Sequence, residues 1–306
     1  FAAISGSSVA TAATVGLVAI PLLLEEGYGE RRAGGFVAGG GTLGIIIPPS
    51  IPLILYGVIT ETSIGQLFIG GVVPGIIMMS LFTFYVMLSR PRVMVTRRSL
   101  GVVLLPVVII VAIYTGVFTP TEVGALSVLY VCALGFAQKK LSFADLKAAA
   151  VVATGATTML FMLIVFGQYF AHFLTFEQVP QAIAAAIIEN ASGIWAVTLM
   201  IMAYIVLGMF LESAAMLLIS IPIFFPVAEQ LGMDPIVFGI FAAISMEIAQ
   251  ISPPIGVNLF TIHGISKIDL WKLARGALPF LLIQIGMLYL VYLVPEVVLW
   301  LPNSMK

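Results

Sequence analysis

GGGTLGIIIPPSIPLILYG (residues 39–57) and MEIAQISPPIGVNLF (246–260) decide how this chain folds. Each is apolar enough to sit in a bilayer, and each carries a proline pair near its middle, Pro48-Pro49 and Pro253-Pro254. Proline has no N–H to donate, and its ring clashes with the carbonyl one turn back, so neither stretch can continue as one regular helix. Broken backbone at membrane depth is tolerated only where protein or a wet cavity satisfies it, and the carbonyls it frees are ready ligands for a hard cation. A lone break could be a structural kink; two in corresponding places point to a site.

The whole chain has the composition of a membrane protein. Of its 306 residues 61% are hydrophobic and 9% charged, with a mean hydropathy of +1.18, where a soluble domain carries about 25% charged residues. Apolar segments recur near 9–24, 33–59, 66–88, 101–117, 122–137, 149–173, 194–228, 236–263 and 277–301. The net charge of -1 says nothing about partners, and no basic run interleaved with aromatics argues for nucleic acid, so that class is set aside. The single cysteine, Cys132, excludes a disulfide framework and reads as a packing residue. Phe1 opens inside an apolar run without an initiator Met or a basic leader, so the expectation is that further helices precede it.

Charge sets a topology. Short cytoplasmic loops collect Lys and Arg. With the 25–32 loop cytoplasmic and 194–228 counted as a hairpin that enters and returns, every Lys and Arg except Lys306 falls on that side, in loops at 25–32, 89–98, 139–147 and 267–275. The opposite side collects Glu61, Glu122, Glu177, Glu189, Glu229, Asp234 and Glu296. Two full crossings within 194–228 remain the alternative, at about 26 Å per arm.

The two halves also repeat. An apolar arm with a polar tip, 5–21, leads through a loop to the Pro48-Pro49 break; another, 206–222, leads to the Pro253-Pro254 break. At an offset of 201, Ala13, Leu17, Ile20 and Pro21 fall on Ala214, Leu218, Ile221 and Pro222, and a loop four residues longer brings the proline pairs into coincidence at 205. Given the topology this is an inverted repeat, the arrangement in which secondary transporters place substrate and ion sites between discontinuous helices.

Polar residues at these places are the candidates for chemistry. Ser5, Gly6, Ser7 and Ser8 form the first tip, followed by Thr11 and Thr14, and let hydroxyl and carbonyl oxygens converge on an ion of sodium's size. The glycines at 39–41 and Gly44 lead into Pro48-Pro49-Ser50 and allow close backbone approach, although small residues also serve helix packing. Glu212, followed by Ser213, marks the second tip, and Glu247 precedes the second break; ionisable groups at membrane depth are costly and are functional hypotheses by default, with a purely architectural role open for Glu247. Gln250, Ser252 and Asn258 surround that break, where local backbone bonding competes with ligand binding. His172 and His263 are assigned no chemistry, and the absence of HExxH, GxSxG and GxxxxGK[ST] leaves neither a hydrolase nor an ATP-driven pump with motif support.

FAAISGSSVATAATVG (1–16), the 39–57 stretch, FTPTEVGALSVLY (118–130), FLESAAMLLISIPIFFP (210–226), the 246–260 stretch and PEVVLWLP (295–302) together resemble the large M subunit of the tripartite ATP-independent periplasmic (TRAP) transporters. The resemblance runs in order over essentially the whole chain. It implies an elevator-type transporter driven by a sodium gradient, working with a small membrane subunit (Q) and a periplasmic substrate-binding protein (P), and carrying small organic acids. Carried over by position, it implies one sodium site at Ser5, Ser7, Gly44, Ile47 and Pro49 and a related one at Gly208, Ala249, Ser252 and Pro254. Many members have Asp where this chain has Thr11 and Glu212, which bears on specificity and ion stoichiometry.

The expected fold is therefore an all-α polytopic membrane protein, an inverted repeat with two re-entrant helical hairpins and two Pro-Pro-broken helices. Residues 1–59 hold the first hairpin, in part, and the first broken helix; 60–148 scaffold helices and a connecting segment; 149–193 a scaffold helix and outer loop; 194–264 the second hairpin and broken helix; 265–306 a C-terminal helix. The expected function is sodium-coupled uptake of a small carboxylate across a bacterial inner membrane, without covalent chemistry. Substrate contacts are assigned to Ser8, Thr11, Ser50, Glu212, Ser213 and Asn258. A passive channel or scaffold subunit, or more remotely a membrane enzyme, stands as the alternative.

Overall fold

The computed structural model describes residues 7–89, 111, 118–190 and 193–304, and among these the regular structure is helical with no strand. Ser5, the arginines at 90, 92, 97 and 98 and nearly all of the 101–117 segment lie outside the described residues. The first group of elements is α1 (Ser8–Glu25), α2 (Glu30–Gly41) with a short 3-10 turn (Thr42–Gly44), α3 (Ile51–Ile59) and α4 (Ile64–Leu88). Then come α5 (Pro120–Ala137), α6 (Phe143–Phe176) and α7 (Val179–Asn190). The last group is α8 (Ile194–Gly208), α9 (Ser213–Gln230), α10 (Pro235–Ile251), α11 (Val257–Ser266), α12 (Leu270–Leu293) and α13 (Glu296–Asn303).

Isolated small polar residues in the apolar sequence start these helices. Ser7, Ser50, Ser63, Glu212, Asp234 and Asp269 each accept a hydrogen bond from a first-turn amide, satisfying a donor that a helix leaves orphaned. Thr119 with Glu122 and Ser142 with Asp145 form reciprocal capping boxes on α5 and α6. Both proline pairs interrupt as the sequence requires: the first path stops at Gly44 and resumes at Ile51, the second stops at Ile251 and resumes at Val257. Both Pro–Pro bonds are cis.

The duplication is more regular than the sequence reading allowed. A single offset of 205 residues places Ser8 on Ser213 at the start of two 18-residue helices, Gly27 on Gly232 in the turns that follow, and Glu30 on Pro235 at the start of the next helices. The same offset places Pro48-Pro49 on Pro253-Pro254, and Pro74 inside α4 on Pro279 inside α12. Gly27 and Gly232 both take positive φ, +84° and +72°, which explains glycine in each turn. The expected shift from 201 to 205 is thus corrected. Pro222 and Pro226 sit one helical turn apart in α9, so Pro21 finds a proline in either register, and only the helix ends choose the second.

The centre of the molecule is α10, where every residue from Ile236 to Ile251 is buried, as an element apolar on all sides must be. Its counterpart α2 is rich in glycine and lies against α12, where Gly34 faces Leu273, Gly35 faces the Gly276 backbone and Gly39 faces the Phe280 ring. Two further differences from expectation concern connections. The 174–193 region, read as an outer loop, contains α7, which packs on α6 and α9, and the C-terminal segment is two helices parted at Val294 and Pro295 rather than one. Among the described residues four helices are long and apolar enough to cross a membrane, α1, α4, α9 and α12, and they are two repeat-related pairs. Large apolar side chains on α5 and α6, among them Leu129, Phe161, Phe166 and Tyr169, are exposed, a surface that suits hydrocarbon and not water.

Candidate functional site

The repeat-related helices α1 and α9 exchange partners across the repeat. Besides its own α2, α1 packs on α11, the segment after the second break, while α9 packs on α3, the segment after the first. Both arms consequently begin in the same buried place. The Ser8 hydroxyl at the start of α1 donates to Gln250 Oε1 at 2.8 Å, and Gln250 Nε2 donates to the Ser213 hydroxyl at the start of α9. Ser8, Ser213 and Gln250 are all buried, Gln250 completely. Two helix N-termini, each with partial positive charge of about half a unit, therefore face one amide held in the last turn of α10.

Around this centre lie the breaks. A proline at position i removes the donor that would satisfy the carbonyl at i−4. Pro48 and Pro49 thus remove the i+4 donors of Gly44 and Ile45, and Pro253 and Pro254 those of Ala249 and Gln250, although the Ala249 carbonyl still accepts a long bond from Ser252 N at 3.4 Å. Gly44 and Ala249 are the repeat-related pair that the family resemblance implied as ligands. The 3-10 turn that ends in Gly44 touches α1, and a Cβ on Gly41 would lie 3.3 Å from the Ser8 carbonyl. On the other side Gly208, the last residue of α8, lies against Ala249, so close that an added Cβ would come within 2.1 Å of the alanine Cβ. Ser252 caps α10 and donates to the Ile248 carbonyl at 2.6 Å; Pro254, two residues on, is exposed.

The remaining candidates separate by what holds them. Ser7 caps α1 through Ala10 N, and Thr11 donates to the Ser7 carbonyl at 2.8 Å. Glu212 is exposed and caps α9 through Ala214 N at 3.0 Å. Ser50 is buried and caps α3 through Leu53 N. Ile47 and Pro49 are half-buried. Asn258, in the first turn of α11, is fully buried with neither amide atom hydrogen-bonded, and Glu247 is fully buried with both carboxylate oxygens equally unpartnered. Unpaired polar groups of this kind are expensive and mark places where a cation or polar ligand would be stabilised. Among the described residues no hydrogen bond joins Ser50 or Asn258 to the Gln250 centre. His263 Nδ1 sits 2.7 Å from the Ile268 carbonyl at the end of α11, and His172 is exposed, so neither enters the site.

Two polar side chains escaped the sequence reading. Thr42, the counterpart of Glu247 at the 205 offset, donates to the Gly39 carbonyl and accepts from Gln284 Nε2 of α12, both fully buried. The signal was present: Gln284 is a lone amide in an otherwise apolar crossing segment, which asks for a partner.

Described residues that are all-helical, with paired interrupted helices and four repeat-related helices long and apolar enough to cross a membrane, fit a polytopic membrane protein built on an internal duplication. The model of the "Tripartite ATP-independent periplasmic transporter, DctM component" family matches residues 1–297, and the chain belongs to that family. It is 39% identical to the C4-dicarboxylate TRAP transporter large permease protein DctM of Pseudomonas aeruginosa, over 99% of this chain and 75% of that protein. It is 33% identical to the ectoine TRAP transporter large permease protein TeaC of Halomonas elongata, over 98% and 74% respectively. It is 34% identical to the isethionate TRAP transporter permease protein DctMQ of Oleidesulfovibrio alaskensis, over 97% of this chain and 49% of that longer protein. Membership makes it the large, multi-pass permease component of a solute transporter that works with a periplasmic binding protein and a small membrane subunit, and not an enzyme.

Proposed function

We propose that the chain takes up a small organic anion, delivered by the periplasmic binding protein, across a bacterial inner membrane by symport with the downhill entry of sodium ions. The observation that carries this reading is the junction at Gln250, where two repeat-related helix N-termini meet in the buried core beside two interrupted helices. Helix N-termini suit the carboxylate of a substrate, while unwound carbonyls suit sodium, which is how discontinuous helices divide the work in transporters. The names of the relatives, with C4-dicarboxylate, isethionate, ectoine and sialic acid among them, support a small polar solute and leave its identity to the delivering protein.

In this reading Ser8, Thr11, Ser50, Glu212, Ser213 and Asn258 surround the anion. Ser5, Ser7, Gly44, Ile47 and Pro49 hold one sodium, and Gly208, Ala249, Ser252 and Pro254 hold another. The carbonyl of Gly44, deprived of its i+4 donor by Pro48, and that of Ala249, left by Pro253 with only a 3.4 Å bond from Ser252 N, support that assignment because a hard cation wants oxygen ligands of this kind. The arms 1–59 and 194–264 move as a transport domain with re-entrant hairpins, against scaffold segments 60–148 and 149–193 and the C-terminal 265–306 region, in an elevator motion. Coupling follows from solvation, since a half-filled site would carry bare charge or unpaired carbonyls past lipid. The test is uptake of labelled C4-dicarboxylate, ectoine or isethionate into liposomes holding both membrane subunits, with binding protein outside. Accumulation should collapse when sodium is replaced by potassium; gradient-independent equilibration would point to a passive channel instead.

A further inference from the structure

Arg31, Arg32, Tyr85, Leu88, Ser89 and Gly276 line a cleft where one end of α4 meets α2 and α12. We infer that this cleft binds the phosphate of an anionic phospholipid headgroup, a site separate from the Gln250 centre and sharing no residue with it. The charge arrangement is the first reason. Both arginines occupy the first turn of α2, where the helix dipole is already positive and cations are disfavoured. Among the described residues neither makes an ion pair, and the one carboxylate in that turn, Glu30, is held by Lys272 Nζ at 2.7 Å. An anion over this turn relieves repulsion that the protein leaves unanswered.

The shape is the second reason. Gly276 lets α12 reach the α2 backbone, since a Cβ there would stand 1.9 Å from the Arg31 carbonyl. The seam below the arginines is thus closed by backbone, and the guanidinium groups remain at its mouth, both residues being exposed. Tyr85 adds a hydroxyl donor beside guanidinium groups whose fork matches phosphate oxygens, while the Ser89 hydroxyl is spent on the Tyr85 carbonyl at 3.1 Å. The third reason is depth. Ser89 ends a 25-residue helix apolar enough to cross a bilayer, and Met87 and Leu88 at that end are 63% and 66% exposed. A phosphate at the arginines would leave its acyl chains beside these apolar side chains, the geometry in which basic clefts between membrane helices hold acidic lipid headgroups.

The experiment uses the purified two-subunit membrane complex in detergent, titrated with phosphatidylglycerol, phosphatidylcholine or inorganic phosphate, and read by thermal unfolding and by native mass spectrometry of retained lipid. Phosphatidylglycerol should raise the unfolding temperature and be retained, and phosphatidylcholine and inorganic phosphate should do neither. Arg31→Gln and Arg32→Gln should each weaken the apparent phosphatidylglycerol affinity about fivefold, with the lipid-free unfolding temperature unchanged. If the glutamine variants do not fold, Arg31→Lys with Arg32→Lys keeps the charge without the fork and should retain the lipid more weakly than the parent. Equal stabilisation by inorganic phosphate would overturn the lipid assignment in favour of a free-anion site. Undiminished phosphatidylglycerol retention in the double glutamine variant, or in the double lysine variant if that alone folds, would overturn the site itself.

Discussion

Ser8 and Ser213 hold the same place in the two repeats and are hydrogen-bonded to opposite ends of one amide, Gln250. A duplication would ordinarily give two separate copies of any local contact. Here the copies converge, so a single residue of α10 registers the starts of both arms against each other.

Removing that residue tests the convergence. Gln250→Ala strands two buried hydroxyls, a cost of about 1–3 kcal/mol each at most, so thermal stability should fall and uptake should drop at least tenfold. Gln250→Glu keeps the size but sets a negative charge before two positive helix ends. It should fold and show a markedly raised KM for an anionic solute; an unaltered KM would mean that the anion does not sit at these N-termini.

Ser7 joins a capping role to an assigned sodium contact. Ser7→Ala loses the bond from Ala10 N, worth about 1 kcal/mol of helix stability, yet expression should survive. The sodium concentration for half-maximal uptake should rise severalfold. A sodium activation curve identical to that of the parent protein would remove Ser7 from the ion site.

Glu212 separates charge from cap. Its carboxylate accepts from Ala214 N at the start of α9, a bond that Ser can replace and Ala cannot. If the residue contributes only a cap, Glu212→Ser transports as the parent does and Glu212→Ala loses about 1 kcal/mol of stability. We expect instead that Glu212→Ser keeps stability and loses transport, with Glu212→Asp retaining most of both, as measured by uptake beside unfolding temperature.

The close crossing of α2 and α12 has an internal control. Gly276→Ala would drive a methyl group into the Arg31 carbonyl and should destabilise by about 1–3 kcal/mol, whereas Gly286→Ala, ten residues along the same helix with open space around it, should be neutral or slightly stabilising. Comparing folded yield and unfolding temperature of the two decides whether the crossing is as tight as described.

Much of this architecture is written locally. Pro48-Pro49 and Pro253-Pro254 announce their breaks because a missing N–H acts within one turn, and Ser7 and Glu212 announce helix starts for the same reason. What escaped the sequence reading depends on distant partners. In sequence Gln250 is polar company for the second break, and nothing near it reveals that Ser8, 242 residues away, is bonded to it. Gln284 and Thr42, separated by the same distance, were hidden for the same reason. The sequence of α7 reads as loop because AIAAAII carries too weak a hydrophobic contrast to stand out beside the longer apolar segments. The repeat register failed at α9 because its two prolines, one turn apart, make a proline match ambiguous.

The uniform spacing between the halves makes the polypeptide its own reference. Any substitution between positions 8 and 88 can be repeated 205 residues further on, in the same chain and the same membrane, and the two results subtracted. Where twins still match, as at Gly27 and Gly232, the difference should vanish; where they have parted, as at Thr42 and Glu247, it measures how far one half has specialised away from its sibling.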